Sequence, residues 1–324
     1  MHKSGFLLNV EDSVLEGASQ LNLNSVLVSS ENISPQTTSQ IKEKLGQVEI
    51  YASVIVFAGK DLLEKYPDAK AVDSNDKDTI SDPLIGICPT HPGVRKNRLE
   101  EIKRVLENDV QGVWLNHMRY PTSWESANPD ILDTCYCERC LKMFEEYIGE
   151  PIAGVGGEGT ALQNIALHID GSYYHEWLEF KAGQVVSFVE EAKALIAASG
   201  KEIKLGMFIV PWKDKDYGAG IQRVVAQDFS KLIPLIDIFS PGLFHKMLGK
   251  DVSWIGEMVE YYWQLGKAFL PLIQSVNEGG EISTEEFKQS LENAIKSPSM
   301  GVCVYHLEDL IKQSQKYEVF RQFS

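Results

Sequence analysis

Eight short apolar runs recur along this chain, each followed by a stretch of helical periodicity, and that alternation limits the fold more than any other feature. The runs are GFLLNV (5–10), SVLVSS (25–30), VEIYASVIVFA (48–58), QGVWLNH (111–117), IKLGMFIV (203–210), IDIFSP (236–241), AFLPLIQS (268–275) and GVCVYHL (301–307). They are apolar nearly end to end, as strands covered on both faces are. Between them, Leu99, Ile102 and Leu106 share one helical face, as do Trp177, Phe180, Phe188 and Ala192. Phe287, Leu291 and Ile295 are spaced by four behind Ser283-x-x-Glu286, a capping-box pattern, and that helix is expected to stop at Pro298. The pattern predicts an α/β fold: a (β/α)8 TIM barrel, a fold of typically ~250 residues before insertions. An open doubly wound sheet is the alternative, but no Gly-x-Gly-x-x-Gly follows the first strand. All of residues 1–324 are read as one barrel domain, with the extra length in an excursion over 118–202, between the fourth and fifth strands. The GVGGEGT stretch within it follows no strand and reads as a plain loop rather than a phosphate cradle.

The formal charge of −15 argues against partners that are themselves anionic, so neither nucleic acid nor a membrane surface is expected. The longest apolar runs are strand-sized, and the opening MHKSGFLLNVEDS has too short an apolar stretch for a signal peptide, so a cytoplasmic location is expected.

Three of the five cysteines fall within six positions, Cys135, Cys137 and Cys140. Cys-x-Cys-x-x-Cys places three soft ligands on one turn, and a closed tetrahedral zinc site needs a fourth. Cys88 follows a strand-like segment, and in a barrel the loops after neighbouring strands share one rim, so Cys88 can complete the set. Four thiolates leave no position open for water, which makes such a zinc structural. Reduced thiols without a metal are the alternative reading. Cys303, inside the last strand, reads as a small core residue.

The segments CPTHPGVR, GVWLNHMRYP, SWE and CYCERCLKMF, and further on VPWKDKDYG, DIFSPGLFHKML and PLIQSV, resemble a group of bacterial barrel proteins assigned as glycoside hydrolases. The order of one cysteine and then Cys-x-Cys-x-x-Cys resembles the structural zinc site of one barrel β-galactosidase family. The resemblance implies a carbohydrate ligand and two carboxyl groups across the scissile bond. In that clan the acid/base follows the fourth strand and the nucleophile the seventh. Here the fourth strand ends in Asn116-His117, where the clan carries Asn-Glu and the resembling group usually aspartate. The seventh ends in Gln274 instead of glutamate, with Glu278 four residues on.

The expected pair is therefore absent, and other groups at strand ends become candidates: Glu11 after the first strand, Glu125 after the fourth, His245 after the sixth and Glu308 after the eighth. Arg119 can hold a carboxylate or sugar hydroxyls bidentately, or simply pair with Glu11. Trp124 and Trp212 suit sugar stacking or rim packing. Asn116, Arg119, Glu11, Glu125, His245, Gln274 and Glu308 are expected to line one acidic pocket, with Glu125 or Glu308 raised in pKa as the acid. The competing reading is a carbohydrate-binding pseudoenzyme, suggested by the amides of Asn116 and Gln274. A metal-dependent hydrolase ranks last, because no His-x-His follows the first strand.

Overall fold

The computed structural model describes residues 1–75, 85–152, 156–296 and 299–323. Its strands are β1 (His2–Leu7), β2 (Ser25–Ser29), β3 (Glu49–Ile55), β4 (Gly112–Asn116), β5 (Lys204–Ile209), β6 (Ile238–Leu243), β7 (Ala268–Phe269), β8 (Leu272–Gln274) and β9 (Gly301–Tyr305). All pair in parallel, β1 joins β9, and β5 joins β6, which closes the sheet. β6 pairs with both β7 and β8, so these are two halves of one barrel strand. The break falls at Pro271, which has no N–H to give to a ladder. The result is a closed eight-strand (β/α)8 barrel.

The helices are α1 (Asp12–Ala18), α2 (Pro35–Leu45), α3 (Lys60–Lys65), α4 (Pro92–Leu106), α5 (Glu138–Ile148), α6 (Ala161–Ser172), α7 (Tyr174–Ala198), α8 (Gly220–Arg223), α9 (Phe229–Leu232), α10 (Ser253–Trp263), α11 (Thr284–Ala294), α12 (Leu307–Lys312) and α13 (Ser314–Gln322). Among the described residues no helix is long and apolar enough to cross a membrane. α5, α6 and α7 all lie between β4 and β5. Of the loop expected over GVGGEGT, Gly154 and Val155 lie outside the described residues, and its last residue, Thr160, caps α6 through Gln163. Pro298 also lies outside them. Ser283 accepts from the Glu286 N–H as its pattern predicts. The Glu286 side chain, however, turns away to His245 and Lys246 instead of returning to the cap.

Two apolar cores result. The larger lies between sheet and helices. The smaller fills the barrel interior with Phe6, Leu27, Tyr51, Trp114, Ile238, Leu270, Leu272 and Cys303. Trp114 is its keystone: fully buried, stacked on Tyr51 at 4.3 Å between ring centroids, and donating from Nε1 to Ser240 Oγ at 2.9 Å. Its indole lies where a side chain at Gly206 would be, and a Cβ there would stand 2.2 Å from two ring atoms. Because the indole is held on two sides, Gly206→Ala is expected to cost about 1–3 kcal/mol by overpacking. A urea melt reads this directly, and an unchanged midpoint would show that Trp114 is free to shift.

Candidate functional site

At the carboxyl ends of the strands, where barrel sites lie, the structure holds a cavity of about 280 Å³. Ligand pockets run from ~300 to 1,000 Å³, so this one is small. Its walls are mainly apolar, including Phe6, Leu8, Phe57, Phe208 and Phe244. Trp124 and Phe244 lie nearly parallel, with ring centroids 6.3 Å apart and planes 9° apart.

The polar groups come chiefly from the turn after β4. Asn116 Oδ1 accepts from the His117 N–H at 2.9 Å, which leaves the amide NH2 as a donor. His117 has φ of +49°, in the left-handed region that residues with a Cβ rarely adopt. Its Nδ1 lies 3.4 Å from Arg119 Nη2. A guanidinium can only donate, so Nδ1 accepts and the ring proton sits on Nε2. Burial, and then the Arg119 charge, push the His117 pKa down to about 3. The imidazole is therefore neutral near pH 7 and cannot serve as a general acid there. Arg119 is 6% exposed, and its Nη1 donates to the carbonyls of Tyr120 and Thr122, each at 3.2 Å. Its carboxylate neighbour is Glu125, at 3.8 Å, rather than Glu11. Ser53, on β3, lines the same cavity with its hydroxyl unpaired.

Of the expected site residues, Asn116, Arg119 and Glu125 line this cavity together with Trp124. The others are held elsewhere. Glu11 is exposed at the N-cap of α1. His245 is fully buried, with Nε2 3.1 Å from Glu286 Oε1. Gln274 is also fully buried: Oε1 accepts from the N–H groups of Lys246 and Met247, and Nε2 donates to the carbonyls of Val276 and Glu278. Glu308 Oε1 accepts from the N–H groups of Leu8 and Asn9 at 2.7 and 2.8 Å. Burial alone would raise the Glu308 carboxyl, but hydrogen bonds from His306 and Asn9 outweigh it and hold the group below its ordinary value. This corrects, for Glu308, the expectation of a pKa raised by burial. Trp212 packs against Tyr217 and does not line the cavity.

Glu278, read in the sequence only as a loop residue, lines the cavity, as do His117 and Ser53. His117 had a signal: it follows Asn116 at the strand end. Ser53 had a weaker one, a lone hydroxyl interrupting an apolar run. Among the described residues the lining is thus less acidic than expected: its carboxylates there are Glu125 and Glu278, both exposed.

On the flank of the same rim, Cys88, Cys135, Cys137 and Cys140 bring their sulfurs within 4.8 Å of one another. Cys88 Sγ is 3.4 Å from Cys140 Sγ and 3.7 Å from Cys137 Sγ. A tetrahedron of ~2.3 Å metal–sulfur bonds has sulfur–sulfur edges of about 3.8 Å, so this cluster could hold a metal ion. The Val72 N–H points to Cys135 Sγ at 3.4 Å, and the Thr90 hydroxyl lies 3.1 Å from Cys88 Sγ, polar contacts that suit thiolates. Hydrogen bonds from Cys135, Cys140 and Cys88 hold the Cys137 thiol well below its ordinary value.

No family model matches the chain, and no curated protein matches it. Solved structures do. A catalytic mutant of a GH42 beta-galactosidase from G. stearothermophilus is 13% identical with a TM-score of 0.65, over 99% of this chain and 56% of that one. The (β/α)8 barrel is the fold the two share. The beta-galactosidase from Rahnella sp. R3 is 12% identical with a TM-score of 0.66, over 98% of this chain and 55% of that one. The chain thus spans about half the length of these beta-galactosidases. The glycoside hydrolase domain of PelA from Pseudomonas aeruginosa is 11% identical with a TM-score of 0.52, over 94% of this chain and 96% of that one. At such identities the likeness is one of fold.

Proposed function

We propose that this barrel binds a carbohydrate at its mouth and hydrolyses a glycosidic bond, with Glu125 and Glu278 as the carboxylate pair. One observation carries the reading. Among the described residues these are the carboxylates that line the cavity, and they come from the loops after the fourth and seventh barrel strands. Glycoside hydrolysis needs one carboxyl to protonate the leaving oxygen and a second to attack the sugar or activate water. The two loops that carry the pair elsewhere in the clan supply it here from displaced positions. The parallel rings of Trp124 and Phe244 offer a face for the CH surface of a sugar ring, and the Asn116 amide and His117 Nε2–H can donate to its oxygens.

The four cysteines would hold one zinc, a structural ion because sulfur fills all four positions. Reduced cysteines at this density suit a reducing compartment, and we place the protein in the cytoplasm on that ground.

Glu125→Gln and Glu278→Gln are each expected to lower turnover by ~100-fold or more, the range of acid–base assistance, while calorimetry still shows sugar binding. Unchanged turnover in both variants would remove the pair. The amides at Asn116 and Gln274 favour a second reading, binding without chemistry. That reading gains if wild type binds an oligosaccharide from a broad panel and hydrolyses none.

A further inference from the structure

The floor of the cavity has a chemical bias that goes beyond sugar binding in general. The Asn116 amide retains its NH2, because its oxygen is taken by the His117 N–H. His117 presents Nε2–H, because Nδ1 accepts from Arg119. Among the described residues Arg119 Nη2 has only that ring at 3.4 Å and the exposed Glu125 at 3.8 Å. Ser53 is 2% exposed, and its hydroxyl has no partner among the described residues. Three of these four groups present N–H donors. A sugar hydroxyl needs acceptors as well as donors, and these four groups offer it little beyond the serine oxygen and the second lone pair of Asn116 Oδ1. A group that only accepts would satisfy all four.

We infer that the cavity recognises a carbohydrate bearing a carboxylate, a hexuronic acid residue whose anionic group seats on Asn116, His117, Arg119 and Ser53. The inference rests on the carbohydrate reading above. Arg119 is a cation 6% exposed whose carboxylate neighbour among the described residues, the exposed Glu125, stands at 3.8 Å, beyond hydrogen-bond distance, and buried charge is normally paired and hydrogen-bonded. A ligand carboxylate would complete it. The apolar walls of Phe6, Phe57 and Phe208 keep the local dielectric low, which strengthens such a pair. Since the whole chain carries −15, long-range attraction of an anion is not available and the selectivity must act at contact.

The test is calorimetric titration of a hexuronate disaccharide against its neutral counterpart, in which each carboxyl is a hydroxymethyl group. Glu278→Gln protein is used so that turnover does not interfere. The acidic ligand is expected to bind at least ~10-fold more tightly, as charge-assisted hydrogen bonds require. Arg119→Gln should abolish the preference, read as the ratio of the two affinities within that one variant. Arg119 also braces its own loop, so Ser53→Ala is the milder companion, expected to weaken the acidic ligand by a few-fold and to narrow its advantage over the neutral sugar. Equal or better binding of the neutral sugar, or a preference untouched by both variants, overturns the inference and leaves the carbohydrate reading standing. No binding of either sugar to wild type or to Glu278→Gln removes the carbohydrate reading itself.

Discussion

Stripping the metal from Cys88, Cys135, Cys137 and Cys140 is expected to loosen one wall of the barrel mouth before the barrel melts. Cys88 lies in the loop after β3, and Cys135, Cys137 and Cys140 lie in the loop after β4 and at the start of α5. The ion would therefore join two loops that contribute Ala58, Gly86, Thr122, Trp124 and Glu125 to the cavity. The joint is reinforced from the Tyr136 N–H to the Val72 carbonyl at 2.9 Å, while the Thr134 hydroxyl ties the second loop to itself at the Pro121 carbonyl, 3.0 Å away. Free metal a thousandfold above its dissociation constant contributes about 4 kcal/mol to the folded state by linkage alone. Chelation should remove that contribution, with new amide exchange concentrated in residues 118–150, and sugar affinity should fall in parallel. Metal analysis should find one zinc per chain in wild type and none in Cys137→Ser. Zinc near zero in carefully purified protein, with all four thiols titrating freely under native conditions, would count against the site.

A second large loss is expected from Lys181→Met. Lys181, on α7, is fully buried. Its ammonium donates to Asp133 Oδ1 at 2.9 Å and to the Arg223 carbonyl at 2.7 Å, and stands 4.8 Å from the centre of the Tyr120 ring. Asp133 is also met by Arg223 at 2.6 Å. One ammonium thus connects α7, the segment before the cysteine turn, and the loop after β5. Removing a single partner from a buried ionic network strands the rest, at about 3–5 kcal/mol. Arg223 stays with Asp133 in this variant, so the lower end is expected, near ~3 kcal/mol. Urea unfolding with an unchanged slope is the measurement, and a loss below ~1 kcal/mol would mean that this network relaxes without Lys181. The stabilisation is local, so Tyr120 and the neighbouring Arg119 should also become more mobile.

The barrel could be read from the sequence because burial on both faces writes itself as apolar runs, and Val26, Leu27 and Val28, or Val113, Trp114 and Leu115, show it without help from context. The break at Pro271 was visible as a residue but not as a division of the strand, since a proline at the edge of a ladder and one between two short ladders look alike in a run such as AFLPLIQS. The cysteines were legible because ligand spacing is local. The mouth was legible only in part. Asn116, Arg119 and Glu125 lie on one continuous turn and could be grouped by position alone. Whether a side chain at a strand end faces the cavity or ties down a neighbouring loop depends on loops far away in sequence. His245 is committed to Glu286 and Glu308 to the Leu8 and Asn9 amides, and neither choice leaves a mark on the residue itself.

Gln274 carries a consequence for how such a site can change. Its amide uses both faces of its chemistry, accepting from two N–H groups and donating to two carbonyls, and so clasps the loop after β6 to the loop after β8. A carboxylate in its place could still accept twice, but it would turn a negative charge toward the carbonyls of Val276 and Glu278. An amide there holds two loops together, and a glutamate in its place would break that clasp before it offered any nucleophile.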